Sequence, residues 1–222
     1  MKNIMVIAAH PDDEILGCGG TLYKYSKKSK INLVFLSDGE SSRKIKNLKK
    51  KIKNRKKCAL KVGSLLGAKH IMFGDFPDNR LDNLPSIEIT QFIEKCINKI
   101  RPDTILTHHY NDLNLDHRVV SNSVITACRP LKSSSVNLIL FFEILSSTEW
   151  QINDSKNLFN PNWFEDISKE INFKLKLLKI YKDELRTYPH SRSVKGVKAL
   201  SKYRGVSSGY KFAEGFVLGR KK

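Results

Sequence analysis

Apolar residues gather into five short continuous runs, at positions 4–9, 31–36, 71–73, 104–107 and 136–142. Runs of this length without polar alternation suit strands covered on both faces of a parallel sheet. Segments long enough for crossover helices fill the gaps, over residues 14–29, 44–66, 86–100 and 117–128. The alternation predicts βαβ units and hence an α/β fold, a mostly parallel, doubly wound sheet with helices on both faces. Pro77, Pro85, Pro102, Pro130, Pro161 and Pro189 fall between these segments or at their edges, where proline is tolerated.

Beyond residue 142 the pattern changes. Residues 160–163 read as a loop, 167–185 carry helical periodicity and 210–219 read as a last strand. With no internal repeat and no linker, 222 residues fit one Rossmann-like domain. Within 1–222, the body is 1–142, and 143–222 is expected to complete the cleft and the sheet.

Composition narrows the setting. No apolar run approaches the roughly 20 residues that a membrane helix requires, and His10 to Glu14 interrupt the opening run before it reaches signal-peptide length. Cys18, Cys58, Cys96 and Cys128 are widely spaced, which suits reduced thiols and a cytoplasmic setting. The net charge of +18 is concentrated in residues 44–57, where nine basic residues stand without one acidic or aromatic neighbour. Single-strand binders interleave aromatics for base stacking, so this stretch reads as a solvated helix face and nucleic acid is not the expected partner. A polyanion surface on an idle scaffold is the competing reading. The surplus charge also suits an anionic small molecule.

Ligands of open α/β sheets bind beyond the carboxyl ends of the strands, which directs attention to the loop His10, Pro11, Asp12, Asp13, Glu14 after the first run. A histidine and a carboxylate three residues apart can face one ion. The fourth run ends in a polar stretch, His108 to His117, and His117 opens a helix for which Asp116 is the expected N-cap. Two imidazoles and one carboxylate, His10, Asp13 and His117, with an open position form a catalytic-zinc set. Asp12 is left over beside them as the general base for a water that the ion acidifies to a pKa of about 7. His108 and Asp112 fit loop hydrogen bonding as readily as a direct role, and His70 reads as an ordinary surface residue at a strand start. Gly17, Gly19 and Gly20 do not make a dinucleotide fingerprint, because Leu22 stands where a third small residue belongs and Asp12 to Leu16 separate the glycines from the strand.

The residues Ala9 to Glu14 and Asp116 with His117 resemble the signature of the LmbE-like (PIG-L) N-acetyl-sugar deacetylase family. The similarity extends through Ser37 to Glu40, Phe76 to Arg80 and Thr107 to Val120, and a bacterial subgroup is similar in Tyr188 to Ser193, Tyr203 to Gly205 and Ala213 to Phe216. The resemblance implies a zinc-dependent deacetylase, with His10, Asp13 and His117 on the metal, Asp12 as base, and Glu40, Arg55, Asp78 and Asp112 toward the substrate. Arg55 stands in the family's arginine register, with Cys58 where a glutamate usually follows. Many relatives also carry an oxyanion-stabilising histidine three residues before the last ligand. Here that residue is Asn114, so Asn114, His109 and His190 are the candidates for the donor and the leaving-group acid.

The expected reaction is hydrolysis of an N-acetylated sugar or sugar conjugate to acetate and a free amine. A metal-dependent amidase or esterase acting on another acyl group is the alternative. Ligand type leaves zinc and ferrous iron both open, and the sequence is compatible with a homo-oligomer.

Overall fold

The computed structural model describes residues 1–44, 46–152 and 158–222. Seven strands form one sheet in the order β3-β2-β1-β4-β5-β7-β6. Strands β1 (Asn3–Ala8), β2 (Lys30–Ser37), β3 (His70–Phe76), β4 (Thr104–His108) and β5 (Leu138–Phe142) are mutually parallel. The mostly parallel sheet expected from the apolar runs is therefore present. Strand β7 (Ala213–Lys221) runs antiparallel to β5, and β6 (Trp163–Asp166) antiparallel to β7. The sequence pattern does not reveal β6: residues 160–163 read as a loop, and a strand of four residues, three of them half-buried, leaves almost no periodic signal.

The period of two along β1 divides the core. Ile4, Val6 and Ala8 pack with α1 (Asp13–Ser26), α2 (Leu48–Leu66) and α5 (Ile171–Leu178), whereas Met5, Ile7 and Ala9 pack with α3 (Ser86–Ile100) and α4 (Leu115–Ala127). Burial on both faces is why β1 reads as a continuous apolar run. In α3 the buried Ile89, Ile93, Ile97 and Ile100 recur at helical spacing, so its amphipathic stripe is plain in the sequence. Helix α2 starts at Leu48. The start expected at Lys44 adjoins Ile45, which lies outside the described residues. Along α2, Lys49, Lys50, Lys53 and Lys57 are exposed while Ala59, Val62 and Leu66 are buried. No helix among the described residues is long and apolar enough to cross a membrane.

Helix α1 fills the first of the expected crossover segments and is kinked at Cys18, whose φ of −144° leaves the helical region. The kink frees the N–H groups that open its second half, and Glu214 of β7 accepts from Gly20 N at 2.9 Å and Thr21 N at 2.7 Å. Lys174 of α5 neutralises Glu214 at 2.6 Å and donates to Leu16 O. A buried helix break thereby finds the partners that it requires and ties the C-terminal part to α1. Gly17 has a packing role: an added Cβ would lie 2.4 Å from the Phe142 ring. Gly17→Val is expected to cost about 1–3 kcal/mol through overpacking, read as a lower denaturant midpoint. Because Phe142 meets the His108 ring edge-on at 4.9 Å, the strain would also reach the catalytic face.

After β6, residues 167–185 divide into α5 and a 3₁₀ segment, Lys179–Glu184, broken at Tyr181. Helix α6 (Val194–Val206) then leads into β7.

Candidate metal and catalytic site

Strand β1 has β2 on one side and β4 on the other, and the chain reverses its direction of winding between them. This is the topological switch point at which a crevice opens beyond the strand ends. The loop from His10 leaves β1 on one side of the crevice, and the loop from His108 leaves β4 on the other. Their pairing, Ile7 with Thr107, brings two segments about a hundred residues apart face to face.

One ligand atom from each of His10, Asp13 and His117 fits within a span of 4.8 Å, and all three residues are buried. His10 Nδ1 lies 3.2 Å and His117 Nε2 3.5 Å from Asp13 Oδ2. The remaining imidazole nitrogens face carboxylates. Asp78 Oδ1 and Asp116 Oδ2 lie 3.1 and 3.2 Å from His10 Nε2, and Asp112 Oδ1 lies 3.1 Å from His117 Nδ1. Histidine held by carboxylate on the side away from an ion is the usual support of a metal site, so the residues present fit a divalent cation. His10, Asp78 and Asp116 form a second compact set. Asp116 there already accepts from Asn79 N and Leu81 N, at 2.7 and 3.1 Å, which suits orienting His10 rather than ligating.

Asp116 is therefore not the N-cap of α4, as the sequence suggested. Asn114 caps the helix, its side-chain oxygen accepting from Asp116 N at 2.8 Å and His117 N at 3.4 Å. Both residues are good caps, so the sequence alone does not choose between them. Asn114 Nδ2 donates to Asn79 Oδ1 at 3.3 Å.

Burial and charge set the protonation states. Burial disfavours the charged form of His117, but Asp112 and Asp13 outweigh it and raise its pKa to about 9. Burial likewise opposes charge on His10, and its contacts with Asp116, Asp13 and Asp78 prevail, holding it well above the usual histidine range. His108 goes the other way, held neutral by burial and by the charge of His117. Its ring stacks on His117 at 3.9 Å, and its Nε2 accepts from Ala9 N at 2.8 Å. A neutral acceptor thus buttresses the His117 ring.

Asp12 occupies a strained backbone conformation, φ 127°, which persists only where its surroundings enforce it. Its N–H donates to Glu14 Oε2 at 2.9 Å, and Tyr181 Oη donates to Glu14 Oε1 at 2.6 Å. Both Asp12 side-chain oxygens are buried without a hydrogen bond. Arg55 Nη2 and Arg192 Nη1 approach them as charges, at 3.1 and 3.6 Å. Burial raises the Asp12 pKa to about 6, and the two guanidiniums limit the rise.

The other expected site residues engage the protein itself. Glu40 pairs with Arg43 and Arg55 at 3.2 and 3.5 Å, and Arg55 Nε donates to Pro11 O at 2.6 Å. Asp78 accepts from Ser42 Oγ besides meeting His10, and Asp112 from Ser147 and Thr148 besides meeting His117. His109 is buried beside Tyr110 and Phe159, and His190 packs against Trp150 and accepts from Arg192 N. Neither belongs to the compact ligand sets. Sequence reasoning did not single out Tyr181, Glu184 or Arg192. Only Arg192 left a trace, within the segment Tyr188 to Ser193 that resembles the bacterial subgroup.

Two imidazoles and a carboxylate at the switch point of a parallel sheet, beside a carboxylate with unfilled oxygens, are the equipment of a metal-dependent hydrolase. The chain belongs to the PIG-L family, whose model, GlcNAc-PI de-N-acetylase, matches residues 5–128. Diacetylchitobiose deacetylase of Thermococcus kodakarensis is 27% identical to it over 97% of this chain and 82% of its own length. The uncharacterized deacetylase YaiS of Escherichia coli K12 is 31% identical over 82% of this chain and 91% of its own. Among solved structures, N,N'-diacetylchitobiose deacetylase of Pyrococcus horikoshii shares the fold with a TM-score of 0.79 at 20% identity, over 99% of this chain and 84% of that one.

Proposed function

We propose that the chain is a zinc-dependent hydrolase of one domain, which removes an N-acetyl group from a sugar or sugar conjugate and releases acetate and a free amine. The observation that carries this reading is the buried convergence of His10, Asp13 and His117 beside the unfilled oxygens of Asp12. Family membership and the deacetylase relatives supply the bond.

A divalent ion held by His10, Asp13 and His117 supplies Lewis acidity to the acetamide carbonyl and acidity to a water. Asp12 takes the proton of the attacking water. Arg55 and Arg192 keep its carboxylate charged at neutral pH although it is buried, and Glu14 fixes the backbone that aims it. As the carbonyl becomes tetrahedral, negative charge develops on its oxygen and calls for a preorganised donor. Asn114 serves there, since an amide nitrogen has two hydrogens and Asn79 takes one. His109 and His190 are the candidates for returning a proton to the leaving amine. The free cysteines agree with a cytoplasmic location, and the net charge of +18 favours an anionic sugar conjugate.

The test is acetate release from a panel of N-acetylated sugars, with metal removed and then restored. Chelation is expected to abolish release, and zinc to restore it best among the divalent ions tried. An acid product other than acetate would assign the site to another acyl group.

A further inference from the structure

Asp12 is the only group in the proposed mechanism whose aim depends on a buried arginine, and that arginine is itself held from the far side. Arg55 Nη1 is in close contact with Glu184 Oε1, and Arg43 grips the same carboxylate through two bonds of 3.0 and 2.7 Å. Glu184 and Arg55 are almost fully buried, with side chains 3% and 5% exposed. Three guanidiniums (Arg43, Arg55, Arg192) thus alternate with three carboxylates (Glu184, Glu40, Asp12) in one network. Glu184 belongs to the 3₁₀ segment Lys179–Glu184, outside the region that the family model matches.

We propose that Glu184 is a positioning residue for the hydrolytic reaction, fixing the Arg55 guanidinium so that it presents Nη2 to Asp12. Arg55 needs such an anchor because a cavity of about 250 Å³ opens beside it, lined in part by Glu40, Cys58, Tyr181 and Glu184. Without the Glu184 carboxylate, the guanidinium has room to swing into that cavity and away from Asp12. Glu40 does not replace it, its nearer oxygen standing off at 3.5 Å from Arg55 Nη1. The backbone contact with Pro11 O fixes Nε alone, and Arg55 requires a second point to define the plane of its fork. Glu184 is in contact with neither the proposed ligands nor Asp12, which it also repels through space, so its positioning effect passes through Arg55.

The inference rests on Asp12 acting as the base, and a double-mutant cycle tests it separately. Glu184→Gln keeps the shape and removes the charge. It is expected to lower kcat about 10-fold with KM within about twofold, as small misplacements of a catalytic group do, and to leave the bound metal unchanged. In an Arg55→Lys background the same change is expected to cost less than about twofold, because residues acting in series are not additive. Arg43→Gln, which loosens the clamp from its more exposed side, provides a second reading should Glu184→Gln fold poorly, with a smaller fall in kcat that also vanishes in Arg55→Lys. Equal losses in both backgrounds, or an unchanged kcat, would overturn the proposal. If Asp12→Asn keeps its turnover, the mechanism itself fails. If that variant is inactive while the cycle is additive, only the role of Glu184 fails.

Discussion

Asp12→Asn is expected to lower kcat by about 10²–10⁴-fold, the usual contribution of a positioned general base, while the protein still binds one metal ion. The split follows from geometry: His10, Asp13 and His117 converge without Asp12, whose oxygens face Arg55 and Arg192 instead. Asparagine keeps the size of the side chain and removes its capacity to take a proton. Metal content by elemental analysis and acetate release on the same sample are the paired measurements, and near-normal release would remove Asp12 from the mechanism. In the wild type the base must be deprotonated, so activity should fall as the pH drops through the carboxylate's pKa. Burial, limited by the two arginines, places that pKa at about 6 in the metal-free protein. A bound cation favours the charged form, so the acid limb of the kcat/KM profile is expected at or below about 6.

His117→Ala is expected to abolish metal binding at micromolar ion and reduce acetate release to background. It removes one of the three proposed ligands and leaves Asp112, which Ser147 and Thr148 hold, without its imidazole partner. Asp112→Asn should be milder, lowering metal affinity about 10–100-fold, as loss of a group that orients a ligand does. The same imidazole sets how uptake depends on pH. Burial lowers its pKa, Asp112 and Asp13 more than reverse this, and the metal-free value is about 9. A proton therefore occupies His117 at neutral pH and must leave before an ion binds. Affinity is expected to rise with pH and to level near 9, with proton release in calorimetry. An affinity flat between pH 6 and 9 would contradict the raised value.

The architecture was legible where burial on both faces forces an apolar run. The five runs correspond to β1 to β5, and the loops that carry His10 and His117 meet because these strands are neighbours. Four features escaped the sequence. Strand β6 is short and only partly buried, so its pattern is faint. The network around Asp12 escaped because Tyr181, Glu184 and Arg192 come from an irregular 3₁₀ segment and a loop, where a charged residue looks like any solvated one. The break in α1 at Cys18 was invisible for a related reason: its compensation, Glu214, lies almost two hundred residues downstream. Asn114 and Asp116 are both competent caps, and only the backbone distinguishes them. Glu40, Arg55, Asp78 and Asp112, expected to face a substrate, each meet a histidine or an opposite charge within the protein, pairings that sequence spacing does not reveal.

The proposed ligands and several of the groups that hold Asp12 are supplied by structurally different parts of the chain. His10, Asp13 and His117 lie just beyond β1 and β4 in the parallel part of the sheet, whereas Tyr181, Glu184 and Arg192 come from the irregular stretch between α5 and α6. Local loosening of that irregular stretch would release these supports of Asp12 while the proposed ligand set stands, so proton transfer is expected to be lost more easily than ion binding.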